Sequence, residues 1–203
     1  MSKKQQNLGG RLPLPQTNAL TGTQRTLYDT LMSTWVPYAR KIGVEATTAD
    51  DRLIGPFNTF LLHPEIAEKL SDLQAAEAKN TTLPKRVREV VVLMVGAVWG
   101  AAYELYAQAP VAREMGFSDA DISTLAKGEL PDELSGAEKL AARLAKQLAT
   151  EHRVDDATYE EAVHAFGTTG LFDIVAVMGV YHTVCGALAL FEVPVPAEAS
   201  GQG

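Results

Sequence analysis

Two glutamates, Glu89 and Glu104, stand inside one of the most apolar runs of the chain, LPKRVREVVVLMVGAVWGAAYELYAQAPVAREMG from Leu83 to Gly116, with Arg86, Arg88 and Gln108 beside them. Burying an unpaired charge or an unsatisfied amide is costly, so polar groups in such a run are either paired or chemically employed. On a helix Ala101, Glu104, Gln108 and Ala112 follow a 3-4-4 spacing and share one face. A carboxylate and an amide flanked by alanines leave room for a small ligand, with Tyr103 and Tyr106 on neighbouring faces. The chemistry this suggests is acid–base work without metal or cofactor. The alternative for Glu104 is a structural ion pair with Arg113 or Arg88.

Gly96 and Gly100 bracket Ala97, Val98 and Trp99. Each glycine weakens a helix by about 1 kcal/mol relative to alanine, so a break is expected there, giving helices of about Leu83–Val95 and Ala101–Met115. On one straight helix Glu89 and Glu104 would lie about 22 Å apart at the usual rise per residue. Folded back at the glycines, they can approach a common cavity.

His182 shares a helix face with Met178, Gly179, Cys185, Gly186 and Ala189. It is read either as a catalytic imidazole in a pocket wall or as a hydrogen-bonded core histidine. Cys185 reads as a small buried hydrophobe. His63 precedes Pro64 at a helix start, where it either holds a substrate carboxylate with the following amides or simply caps. His152 and His164 sit in polar surroundings. No metal-ligand spacing is present, and no metal is expected.

The elements that must position these groups read as helices throughout. Thr23–Ile42 forms a first helix, bent or ended near Pro37 and closed by Gly43. Asp51–Leu61 is a broken turn or short helix, and Pro64–Asn80 a helix with proline in its first turn. Thr82 is expected to cap the next. Ser118 with Asp121 and Ser135 with Glu138 have the form of capping boxes. A helix from Asp155 or Asp156 ends at Gly167, and Thr168 or Thr169 opens the long apolar helix Leu171–Leu190, stopped by Pro194. The expectation is all-α, seven or eight helices in one domain over 21–195, with a flexible arm at 1–20 and a loose tail at 196–203.

A chain of 203 residues with 46% hydrophobic and 21% charged residues suits one good-sized core. A net charge of −7 argues against a nucleic-acid surface. Cys185 is the one cysteine, which excludes an internal disulfide or a thiol redox pair. The N-terminus lacks the apolar core of a secretory signal, and both long apolar runs carry charges, so a cytoplasmic protein without membrane spans is expected. Two helices apolar on nearly every side exceed what one such bundle can enclose, which points to a homo-oligomer.

The segments LIGPFNTFLLHPEIAEKLSDLQ, LPKRVREVVVLMV, YELYAQAPVAREMGFSDADISTLAKGEL and GVYHTVCGALALFEVPVP resemble the carboxymuconolactone decarboxylase family, which includes the alkylhydroperoxidase D-like proteins. The likeness runs from about Leu53 to Pro196. Its most specific parts are Arg86-Val87-Arg88-Glu89 and Tyr103-Glu104 with Ala107, Ala112 and Gly116. The resemblance implies an alkylhydroperoxidase D-like helical bundle, usually trimeric or hexameric, though a dimer also stays open. It implies too that the glutamate of the redox branch falls on Glu89, its C-x-x-C cysteines on Ala101 and Glu104, and its histidine on Gln108. Without both sulfurs this chain cannot run a dithiol peroxidase cycle. Cysteine-free relatives carry Y-E-W and then a histidine; here Leu105 and Gln108 replace tryptophan and histidine, and glutamine cannot titrate.

The function expected is a cofactor-free enzyme acting on a small lactone, enol or keto acid by decarboxylation, isomerisation or lactone chemistry. Glu104 is the expected acid or base, with His182 and Glu89 as further catalytic candidates. Gln108, Tyr103, His63, Trp99 and Arg88 are the substrate-binding candidates. The alternative is a non-catalytic oligomer of the same fold that binds a small ligand. Peroxide chemistry through Cys185 is a third.

Overall fold

The computed structural model describes residues 7–196. Its helices are α1 (Gly22–Ser33), α2 (Trp35–Lys41), α3 (Pro56–Phe60), α4 (Pro64–Asn80), α5 (Lys85–Trp99), α6 (Ala102–Glu114), α7 (Asp119–Ala126), α8 (Gly136–Glu151) and α9 (Asp156–Leu190). With α1 and α2 counted as one bent helix, the described residues hold eight. Extended pairing among them is confined to one bridge, Thr47 to Leu53. The fold is all-α, as expected.

The bend between α1 and α2 falls at Thr34. Pro37 sits in the first turn of α2, where a missing N–H has no helical partner to lose. At the start of α5 the cap position is Pro84 and makes no side-chain cap bond. Thr82, the expected cap, instead donates its backbone N–H and its hydroxyl to Asp173 of α9, both at 2.7 Å. Both expected capping boxes form, and Thr21 with Gln24 makes a further one at α1. The expected linker before the last helix shrinks to Gly167, at φ 66° and ψ 172°, across which α9 resumes without a cap from Thr168 or Thr169.

The core is built on α5. Every residue from Val90 to Val95 is fully buried, and α6, α7, α8 and α9 pack round it. An all-apolar stretch demands that enclosure. A second cluster joins Leu27, Leu31, Val36, Ala39, Val44 and Leu53 of the N-terminal third to α4. By length and hydropathy α9 is the one helix among the described residues that could cross a membrane; α4, α5 and α8 pack along it instead.

Of the expected arm and tail, residues 1–6 and 197–203 lie outside the described residues. From Asn7 on, the arm is placed against the body: Arg11 N–H donates to Phe191 O at 2.7 Å, and Asn58 Nδ2 to Pro13 O at 3.3 Å. Both contacts fall within the stretch read as a flexible arm.

Candidate active site in the helical cavity

The turn that brings Glu104 back over α5 is made by Gly100, whose φ of 59° is the left-handed geometry glycine adopts freely, and by Ala101 at φ −78° and ψ 81°. Gly96 does not break α5. It lies buried within the helix, where a Cβ would stand 3.0 Å from Leu105 Cδ2 and 3.9 Å from Glu104 Cγ. The missing side chain lets α6 close on α5 beside the glutamate.

Glu104 is 4% exposed and borders a cavity of about 400 Å³. That volume lies in the range of about 300–1,000 Å³ usual for small-molecule sites. The walls are mostly apolar: Trp35, Ile42 and Val44 from the N-terminal third, Phe57 and Phe60 from α3, Met115 at the end of α6. Gln108 Nε2 donates to Glu104 Oε1 at 2.8 Å. Burial raises the Glu104 pKa to about 7, against the lowering pull of that bond.

The alternative of an arginine partner for Glu104 is not realised. Arg113 holds Asp119 at 2.7 Å. Arg88, which does line the cavity, forks onto Glu77 of α4 through Nε and Nη2 at 2.9 and 2.6 Å. Arg86 bonds Glu138 of α8 at 2.6 Å and stacks 3.8 Å from the centre of the Phe117 ring. The two arginines of the R-V-R-E piece thus tie α5 to α4 and α8.

Of the expected site residues, Glu104, Gln108, Tyr103 and Arg88 meet at the cavity. Tyr103 donates its hydroxyl to the Glu45 carbonyl at 2.6 Å, so its proton is engaged by backbone. Glu89 is not among the lining residues. It is fully buried, and neither carboxylate oxygen has a hydrogen-bond partner. Burial drives its pKa up to about 8; Arg88 lowers it and the neighbouring Glu104 raises it.

His182, Trp99 and His63 are not brought to the cavity. Trp99 Nε1 donates to His182 Nδ1 at 2.6 Å on the outward side of α9, where the indole is partly exposed. His63 is exposed and lies 3.4 Å from Glu65, making no side-chain cap bond. Cys185 is fully buried, with its thiol pKa raised by burial and by Glu104. Among the described residues no group of three His, Cys, Asp or Glu side chains is placed to hold a metal.

Sequence reasoning missed Tyr181 and Gln74, which line the cavity together; the Gln74 amide lies 3.4 Å from the Tyr181 hydroxyl. Burial pushes the Tyr181 phenol up to about 12. The signal was present: Ile174, Val177, Tyr181, Val184 and Leu188 are the bulky face of α9 at helical spacing and all are buried. The face chosen around His182 is divided: Met178 and Cys185 turn into the core, while Gly179 and Ala189 are exposed and His182 is half-buried.

Residues 64–147 match the model of the carboxymuconolactone decarboxylase family. No curated protein matches the chain. Among solved structures, a peroxidase-related protein from Silicibacter sp. TM1040 superposes with a TM-score of 0.72 at 16% identity, covering 100% of this chain and 98% of its own. An alkylhydroperoxidase D core protein from Ralstonia eutropha JMP134 gives 0.68 at 17% identity, covering 93% of each. The debrominase Bmp8, in complex with 2,3,4-tribromopyrrole, gives 0.68 at 14% identity over 90% of this chain and 94% of its own. The segment 64–147 thus matches the carboxymuconolactone decarboxylase family, and the chain as a whole shares the all-helical fold of these alkylhydroperoxidase D-like structures.

Proposed function

We propose that this protein is a cofactor-free acid–base enzyme in which Glu104 moves a proton on a small carbon acid of the lactone, enol or keto-acid type. The observation that carries the reading is a buried carboxyl, free of any arginine, at the wall of a cavity of about 400 Å³. A pKa near 7 lets one group serve as base and then as acid at neutral pH. In the base form Glu104 abstracts a proton alpha to a carbonyl, and the same carboxyl returns it to the enolate carbon or oxygen.

Gln108 orients the carboxylate through its amide. Tyr181 and Gln74 supply hydrogen-bond donors at the polar end of the cavity, where negative charge on the enolate oxygen is stabilised. Glu89 does not face the ligand, and the neighbouring Glu104 raises its proton affinity. His182 takes no part, since its ring nitrogen is held by Trp99 away from the cavity. The debrominase with this fold was solved with a small organic molecule, which supports a small-molecule role for the cavity.

Turnover across a panel of lactones and β-keto acids, titrated with pH, tests this. The wild type turns over a member with a limb near pH 7, and Glu104→Gln loses about 10²–10⁴-fold. Unchanged turnover in that variant removes Glu104 from the mechanism. The non-titrating Gln108 favours a second reading, a ligand-binding protein without catalysis, which predicts binding and no turnover in either form.

Self-association through the outward side of α9 belongs to the same proposal. Phe172 is 71% exposed there, in line with Val175 and Leu190. Sedimentation of the wild type against Phe172→Glu measures it.

A further inference from the structure

We propose that the cavity selects an uncharged ring-bearing carbonyl compound over its carboxylate, because Glu77 already engages the cavity's cation. The inference rests on the cavity being the substrate site and narrows the substrate class that site would take.

Arg88 is the one lysine or arginine among the described residues that line the cavity. A guanidinium facing a pocket would ordinarily recognise a carboxylate through paired N–H donors. Here Nε and Nη2, the two donors of that fork, are directed at Glu77, whose side chain is 2% exposed. The pair is buried and internally neutral, and the other charged group at the wall, Glu104, is an acid. Arg86 and Arg52 are not lining residues and hold Glu138 and Asp50 at 2.6 and 2.9 Å. An entering carboxylate would shed its water without gaining an unpaired cation, which is unfavourable.

A neutral carbonyl makes smaller demands. One donor suffices for its oxygen, and the Gln108 amide or the protonated Glu104 provides it. The rest of the molecule would meet Trp35, Phe57, Phe60, Met115 and Val184, flat and apolar surfaces that favour a ring.

The test is calorimetric binding at pH 7 of three bicyclic lactones to the full chain: phthalide, 5-carboxyphthalide and the methyl ester of that acid. The ester matches the acid in bulk, so charge is the variable. Both neutral compounds are expected to bind saturably and the acid at least about tenfold more weakly. Glu77→Gln, checked for helical content, leaves Arg88 its charge and is expected to strengthen binding of the acid at least about tenfold over wild type. Acid binding as tight as the ester in wild type overturns the proposal, as does absence of saturable binding by both neutral lactones. A folded Glu77→Gln variant that discriminates as wild type does overturns it too. Should that variant not fold, the three wild-type isotherms decide alone. Binding is read without turnover, so failure here leaves the Glu104 role standing. Turnover insensitive to Glu104→Gln would sink that role without touching the charge preference.

Discussion

The Gln108 amide donates to Glu104 Oε1 at 2.8 Å across one turn of α6, and this bond is the counterweight to burial in setting the carboxyl's proton affinity. A donor on the carboxylate stabilises the charged form and lowers the pKa. Gln108→Ala is therefore expected to move the midpoint of the pH–rate profile upward from about 7, the basic form of Glu104 being reached later as pH rises. Gln108→Glu replaces the donor with a second acid and raises it as well. A midpoint that stays put or falls in Gln108→Ala would show that the amide does not act on Glu104.

Glu89 links the site to stability. Its folded pKa, about 8, lies above the ordinary 4.5, so the folded state holds the proton more tightly than the unfolded chain. The contribution is fully present below pH 4.5 and is lost as pH rises through 8. Glu104 adds to the loss with the same sign, through about 7. Wild type should lose about 3–5 kcal/mol through Glu89 between pH 4 and 9, and Glu89→Gln should remove most of that slope. Urea midpoints at several pH values measure it; an unchanged slope in the variant would place the titration elsewhere.

Much of the frame was legible in local chemistry. Ser118 with Asp121, Ser135 with Glu138, and Pro64 each mark a helix start within the range of one turn, and all three do so. Long-range pairing was not legible. Nothing local to Arg86 or Arg88 names Glu138 or Glu77, which come from helices 52 and 11 residues away. The same holds for the cavity's far wall. Trp35, Phe57 and Phe60 read locally as apolar residues and become lining only when α1–α3 fold across α6. On α9 the two faces compete, and the small-residue face around His182 drew attention because it carries the imidazole. The bulky face with Tyr181 is buried, since apolar bulk decides which side turns inward.

Arg86 is a structural staple and its loss should be felt as such. It donates to Glu138 at 2.6 Å and to the Met115 carbonyl at 3.0 Å, and its guanidinium stacks on Phe117. Glu138 is nearly buried and also completes the α8 capping box through its other oxygen. Arg86→Ala strands that carboxylate and is expected to cost about 3–5 kcal/mol. Arg86→Lys keeps the charge without the fork or the stack and should fall between the two. Chemical denaturation of the three proteins orders them.

Cys185 should be inert while the protein is folded. The thiol is fully buried, and both its surroundings and Glu104 disfavour the thiolate that reacts. Iodoacetamide at pH 8 is expected to label the chain after unfolding in urea and not before, by intact mass. Rapid labelling of the native protein would reopen peroxide chemistry through this sulfur.

Gly55 is where backbone geometry and the cavity meet. Its φ of 63° and ψ of −146° belong to a region held almost exclusively by glycine. A Cβ there would stand 2.3 Å from the Tyr103 ring, the side chain that reaches over to the Glu45 carbonyl and lines the cavity. Gly55→Ala thus meets both a strained backbone and a rigid ring, and is expected to cost about 2–4 kcal/mol. Because the ring must move, phthalide binding should weaken together with stability. Gly136→Ala is the matched control: at the first position of α8 a Cβ meets nothing within 4 Å, and alanine favours a helix. That variant should be neutral or slightly more stable, with binding unchanged. Gly55→Ala indistinguishable from Gly136→Ala in urea midpoint and phthalide affinity would mean that Tyr103 is not held against this turn.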